Sequence, residues 1–173
     1  IAASVIEHNG TAGIRCYDAS RLELAGCVIR ANTGPGLHAI WSSPAIDSCE
    51  FAENAREGAI FESDSKGTLT RSTFHANSAG GVLCRIASAP SIESCIFSAN
   101  QLFGIACENG SNASIKGNRF QELSGPGIVI RHTSLPSISG NFFPPAQIAI
   151  RHEGELHVNA ADNHWPAGFR HDL

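Results

Sequence analysis

One large apolar column returns along the whole chain and restricts the fold more than any other feature. It reads Ile6, Ile29, Phe51, Phe74, Phe97, Phe120, Phe143 and Trp165, in steps of 23, 22, 23, 23, 23, 23 and 22 residues. Four further columns keep the same register. Leu24, Ile46, Leu69, Ile92, Ile115 and Ile138 lie five residues earlier. Cys27, Cys49, Ser72, Cys95, Asn118 and Asn141 lie two residues earlier. Asn9, Asn32, Asn54, Asn77 and Asn100 come three residues later, and Gly13, Gly36, Gly58, Gly81, Gly104 and Gly127 continue four beyond that. A fixed period of this size marks a chain of stacked, structurally alike units.

After each glycine the pattern alternates, as in Gly104-Ile105-Ala106-Cys107 and Gly127-Ile128-Val129-Ile130. That is the period of a strand with one buried face. A coil of 22 to 23 residues is too short for a helix pair and suits three short strands with three turns. The expectation is an all-β, right-handed parallel β-helix solenoid of about seven coils, stacked at ~4.8 Å per coil. The rod is then about 34 Å long. Like residues stack on like, so phenylalanines form one ladder and asparagines another. Asparagine tolerates left-handed backbone and bonds to its own kind one coil away, so the Asn column is expected to make the turn itself.

In this pattern the sequence resembles the parallel β-helix repeat family, which includes pectate-lyase-like enzymes, NosD-like periplasmic proteins and β-helical F-box proteins. The resemblance covers nearly the whole chain and implies the fold. It leaves function open, because one fold hosts many activities.

The chain of 173 residues reads as a single domain, 1–173. It lacks methionine, begins at Ile1 and enters the repeat in mid-coil without a capping helix. An uncapped solenoid end exposes strand edges, so a partner or an earlier segment of a longer protein is expected there. Asn163-His164-Trp165-Pro166 reads as a true C-terminal end, with proline stopping the pairing. A net charge of −4 argues against nucleic acid as a partner. The short apolar runs argue against a membrane span, and no signal peptide is visible.

The six cysteines share two inward columns: Cys27, Cys49 and Cys95, and Cys16, Cys84 and Cys107 with Ile130 and Ile150. They read as buried free thiols, which leans towards a reducing compartment such as the cytoplasm. No CxxC, HxxxH or HExxH occurs, so neither a metal nor another cofactor is expected.

Candidate ligand-binding residues are Arg131, His132, Arg151, His152 and Glu153, with Glu155 close by. Aligning Arg131-His132 with Arg151-His152 on the next coil gives a cationic patch able to hold a carboxylate or phosphate. The same residues also read as a solvated strand edge. On that alignment Glu62, Arg85, Glu108, Arg131 and Arg151 form a column, mostly alternating in sign, of cross-strand ion pairs. Trp41 is a candidate for stacking on a sugar ring or for local packing.

One outward column is apolar: Arg15 and His38 lead into Ile60, Leu83, Ala106, Val129 and Ala149. A stripe of that length is expected to be covered by a flanking segment, a second copy or a protein partner. Lyases of this resemblance need clustered acids for Ca²⁺ beside a base, and hydrolases need paired carboxylates. The acids here are scattered, and no catalytic residue is assigned. The reading is a non-catalytic recognition or scaffold domain for a polysaccharide or a protein. The alternative is a carbohydrate-active enzyme (lyase, hydrolase or epimerase) whose site is incomplete in this chain.

Overall fold

The computed structural model describes residues 1–145, 148–154 and 156–165; Glu155 and Pro166 lie outside them. It is an all-β solenoid with three parallel sheets and no helix among the described residues. The first sheet stacks Val5–Glu7, Val28–Arg30, Glu50–Ala52, Thr73–His75, Ile96–Ser98 and Arg119–Gln121. The second stacks Ile14–Cys16, Leu37–Ile40, Ala59–Glu62, Gly80–Arg85, Phe103–Glu108, Ile128–His132 and Ile150–Gly154. The third stacks Glu23–Ala25, Ala45–Asp47, Thr68–Thr70, Ser91–Glu93, Ser114–Lys116 and Ser137–Ser139. Each coil therefore contributes one strand to each sheet, and neighbours in a sheet are neighbours in the repeat.

Register follows the columns. Phe51, Phe74, Phe97 and Phe120 pair in line and are fully buried. Their rings stack 4.8, 5.1 and 5.2 Å apart, and the stack runs on through Phe143 at 4.9 Å to Trp165 at 5.3 Å. The glycine column exists to admit these rings. A Cβ on Gly58 would come 2.7 Å from the Phe74 ring, and one on Gly81 would come 2.5 Å from Phe97. None of the glycines in this column has positive φ, so it is space, and not backbone freedom, that excludes a side chain here.

Each of the three turns carries its own inward polar ladder. At the first, Asn32 Nδ2 donates to Asn54 Oδ1 at 2.9 Å, Asn54 to Asn77 at 3.0 Å, and Asn77 to Asn100 at 3.0 Å. At the last turn of the coil, backbone N–H groups donate to the next coil's Ser72, Asn118 and Asn141 side chains. At the middle turn Ser42, Ser65, Ser88, Ser111 and Ser134 are buried, and Ser65 and Ser134 accept from the backbone one coil back. Buried polar groups are tolerable only when paired in this way.

Four expectations need correction. The asparagines do not adopt left-handed backbone; the residue before each one does, as at Ala31, Glu53, Ala76 and Ala99. The asparagine side chain is then free to turn inward. The last coil is 22 residues, not 20: Ile128 pairs with Ile150, Val129 with Arg151, Arg131 with Glu153 and His132 with Gly154. Arg131 and Arg151 are therefore not equivalent, nor are His132 and His152, and Ile150 is not in the cysteine column. Ala149 is not in the apolar stripe either. It follows the glycine column, with Gly127 stacked on it, and lies in the main core.

The fourth correction concerns exposure. Ile60, Leu83, Ala106 and Val129 do form one column, but none is more than 6% exposed. With Phe103 they make a second buried cluster outside the main core. Phe103 pairs with Gly80, and a Cβ on Gly80 would overlap its ring. The stripe is therefore buried within the chain itself, with Phe103 as the aromatic member of its cluster.

Candidate functional site

The longest strands, six residues each, are Gly80–Arg85 and Phe103–Glu108 in the second sheet. Strand alternation places Glu62, Arg85, Glu108, Arg131 and Glu153 in one outward column there. Glu62 Oε2 accepts from Arg85 at 2.7 Å and contacts His38 Nε2 at 2.8 Å. Arg131 bridges two coils, donating to Glu108 at 2.5 Å and to Glu153 at 2.7 Å. The sign alternates at every step, once the last member is Glu153 in place of Arg151.

These contacts set the protonation states. Burial pushes the Glu62 carboxyl up, but hydrogen bonds from Arg85 and His38 outweigh it and hold the group below the ordinary range. Arg131 holds Glu153 down, and Glu153 and Glu108 together raise Arg131. Elsewhere Arg30 holds Glu7 down, and hydrogen bonds from Thr70 and Arg71 hold Asp47 down. Glu50 reaches His75 at 3.0 Å on the first sheet. Glu7, Asp47, Glu62 and Glu153, held down in this way, are poor general acids, which need a raised pKa.

The proposed cationic patch does not assemble. Arg131 is consumed by two glutamates, and Arg151 is exposed on the outward column beside Val129. His152 continues the inward positions of Cys107 and Ile130, and its Nε2 is shut from solvent without a partner among the described residues. His132 and Glu153 line one cavity of about 340 Å³ with Thr133, Gly154 and Leu156.

Trp41 lies in the turn column that reads Asp18, Trp41, Ser63, Ile86, Asn109 and His132, all with positive φ. It shares an edge with His132 but stands four coils away, about 19 Å at the usual strand spacing. Trp41 is 60% exposed. Sequence reasoning missed Tyr17, exposed one coil before, and Ile86, exposed two coils after. No periodic signal marks them, because turn residues on a solenoid edge need not repeat.

A family model described as a right handed beta helix region matches residues 12–144. The chain belongs to the right-handed β-helix family. A search of curated proteins and a search of solved structures each found no match.

Within this β-helix all six cysteines are free and buried. Burial pushes Cys16 and Cys95 up to about 11, and the Cys107 thiol together with burial raises Cys84. Thiols so placed are packing groups, not nucleophiles. Among the described residues no group of three or more His, Cys, Asp or Glu is placed to hold a metal ion.

Proposed function

We propose that this β-helix is a non-catalytic recognition or scaffold domain that binds an extended polysaccharide or a protein along one edge of the rod. The observation that carries the reading is the Glu62–Arg85 and Glu108–Arg131–Glu153 ladder. Hydrolysing a glycosidic bond canonically uses two carboxyls flanking it, one of them kept protonated, and a lyase of this resemblance needs clustered acids beside a base. The carboxylates on the longest sheet face arginines on adjacent coils instead of each other.

The second reading, a carbohydrate-active enzyme with part of its site outside this chain, draws support from the cavity that His132 and Glu153 both line. Incubation of the chain with polygalacturonate, alginate and xylan separates the two. The expected result is no unsaturated product and no new reducing ends with any of them. Product formation that is lost in His132→Ala or Glu153→Gln would establish the enzyme reading.

A further inference from the structure

In three coils the turn after the second sheet takes two successive residues of positive φ. These are Asp18-Ala19 at 51° and 59°, Ser63-Asp64 at 55° and 57°, and Ile86-Ala87 at 56° and 58°. On the next coil the pair is Asn109-Gly110, at 52° and 76°, the dipeptide best suited to consecutive left-handed residues. In the three earlier pairs the second residue's N–H donates to the following coil. Ala19 bonds to Trp41 O at 2.7 Å, Asp64 to Ile86 O at 3.0 Å and Ala87 to Asn109 O at 3.0 Å. The equivalent bond from Gly110 to His132 O is not made, and the Gly110 N–H has no partner among the described residues.

Asn109 is exposed, and its side-chain amide is likewise without a hydrogen-bond partner among the described residues. Nothing crowds the pair: a Cβ on Gly110 would meet only Thr133 Oγ1, at 3.7 Å. An unbonded backbone nitrogen therefore sits next in the chain to an unbonded carboxamide. Attack within one molecule has a large advantage over attack by water.

The chain contains a second Asn-Gly, at Asn9-Gly10, which provides an internal comparison. There Asn9 Nδ2 donates to Asn32 Oδ1 at 2.8 Å, and the Asn9 backbone N–H donates to the same oxygen at 3.1 Å. Its carboxamide nitrogen is thus held in the asparagine ladder. Asn32, Asn54, Asn77 and Asn100 are buried in that ladder, and none of them precedes a glycine.

We propose that Asn109 is a site of spontaneous deamidation through a succinimide formed with Gly110. The Gly110 nitrogen gives its proton to hydroxide and bonds to Asn109 Cγ. The Cγ–Nδ2 bond breaks, and Nδ2 takes a proton from water and leaves as ammonia. A second water adds to either ring carbonyl and opens the ring, to aspartate at one carbonyl and isoaspartate at the other. The net reaction consumes one water, releases one ammonia and involves no oxidation or reduction. It places a new carboxylate one coil from His132 in the same turn column, next to the residue that lines the cavity with Glu153.

The test is peptide mapping by mass spectrometry after prolonged incubation of the full folded chain in mildly alkaline buffer. The peptide carrying Asn109 should gain the mass difference between a carboxyl and a carboxamide, at least tenfold faster than the peptide carrying Asn9. Part of the product should be isoaspartate, detected with a methyltransferase specific for that residue. In the chain unfolded by guanidinium chloride the two rates should converge, because the ladder no longer protects Asn9. Asn109→Ser should abolish the change and keep the thermal midpoint, since Ser63 already holds this turn position with φ of 55°. An Asn109 that stays intact in the folded chain, equal folded-state rates at Asn9 and Asn109, or aspartate formed without isoaspartate would overturn the proposal.

Discussion

Phe97→Ala should lower the free energy of unfolding by about 3–5 kcal/mol, the range for truncating a fully buried aromatic. Phe97 is 0% exposed, and its ring is stacked between Phe74 at 5.1 Å and Phe120 at 5.2 Å. Removal leaves a cavity that the neighbouring coils cannot close, because Asn77 and Asn100 hold their spacing through a hydrogen bond of 3.0 Å. Each lost ring contact adds to the loss of burial. Urea denaturation of wild type and variant measures the difference. A loss below ~1 kcal/mol would mean that the ladder is not continuous at this coil.

Leu83→Glu should be as severe, although position 83 points away from the main core. Its side chain lies among Ile60, Phe103, Ala106 and Val129 and is 6% exposed. The substitution forfeits ~1.5–3 kcal/mol of burial and forces a carboxyl either to desolvate or to take up a proton. A total above about 4 kcal/mol is expected, enough to unfold a domain of marginal stability. Leu83→Met keeps the volume and should lose less than ~1.5 kcal/mol. A soluble, folded Leu83→Glu protein with unchanged thermal midpoint would show that the stripe is open to water and available to a partner.

Position 83 also shows where reading the sequence stops. Alternation correctly turns Ile60, Leu83, Ala106 and Val129 outward, because Ile105 and Cys107 claim the interior. Direction is not exposure, however. Phe103 occupies a position filled by Gly80 on the coil before and Pro126 on the coil after, so no column reveals it as a member of this buried cluster. The Phe and Asn ladders were legible because an inward position on a solenoid repeats its neighbour's environment every coil. The serine ladder at Ser65, Ser88 and Ser111 has the same cause but hides among the many surface serines. In the last coil the matching dipeptides Arg131-His132 and Arg151-His152 suggested an alignment two residues out of register. The ion-pair partner Glu153 and the inward-facing, half-buried His152 follow only from the true 22-residue spacing. The exposure of Trp41 was not legible, because exposure and φ depend on the turn and leave no trace in periodicity.

The central claim is that the carboxylates of the second sheet are structural ion-pair members and not catalytic acids. NMR titration of the Glu62 side-chain carboxyl tests it most directly. Arg85 and His38 depress its pKa in the folded state, so this group stabilises the fold above the unfolded glutamate value, and the contribution is lost as pH falls through the folded value. The account predicts a midpoint below the ordinary ~4.3 of a glutamate, moving up towards that value in Arg85→Met. A midpoint above the ordinary value, in the direction of the ~6 of a general acid, would contradict it.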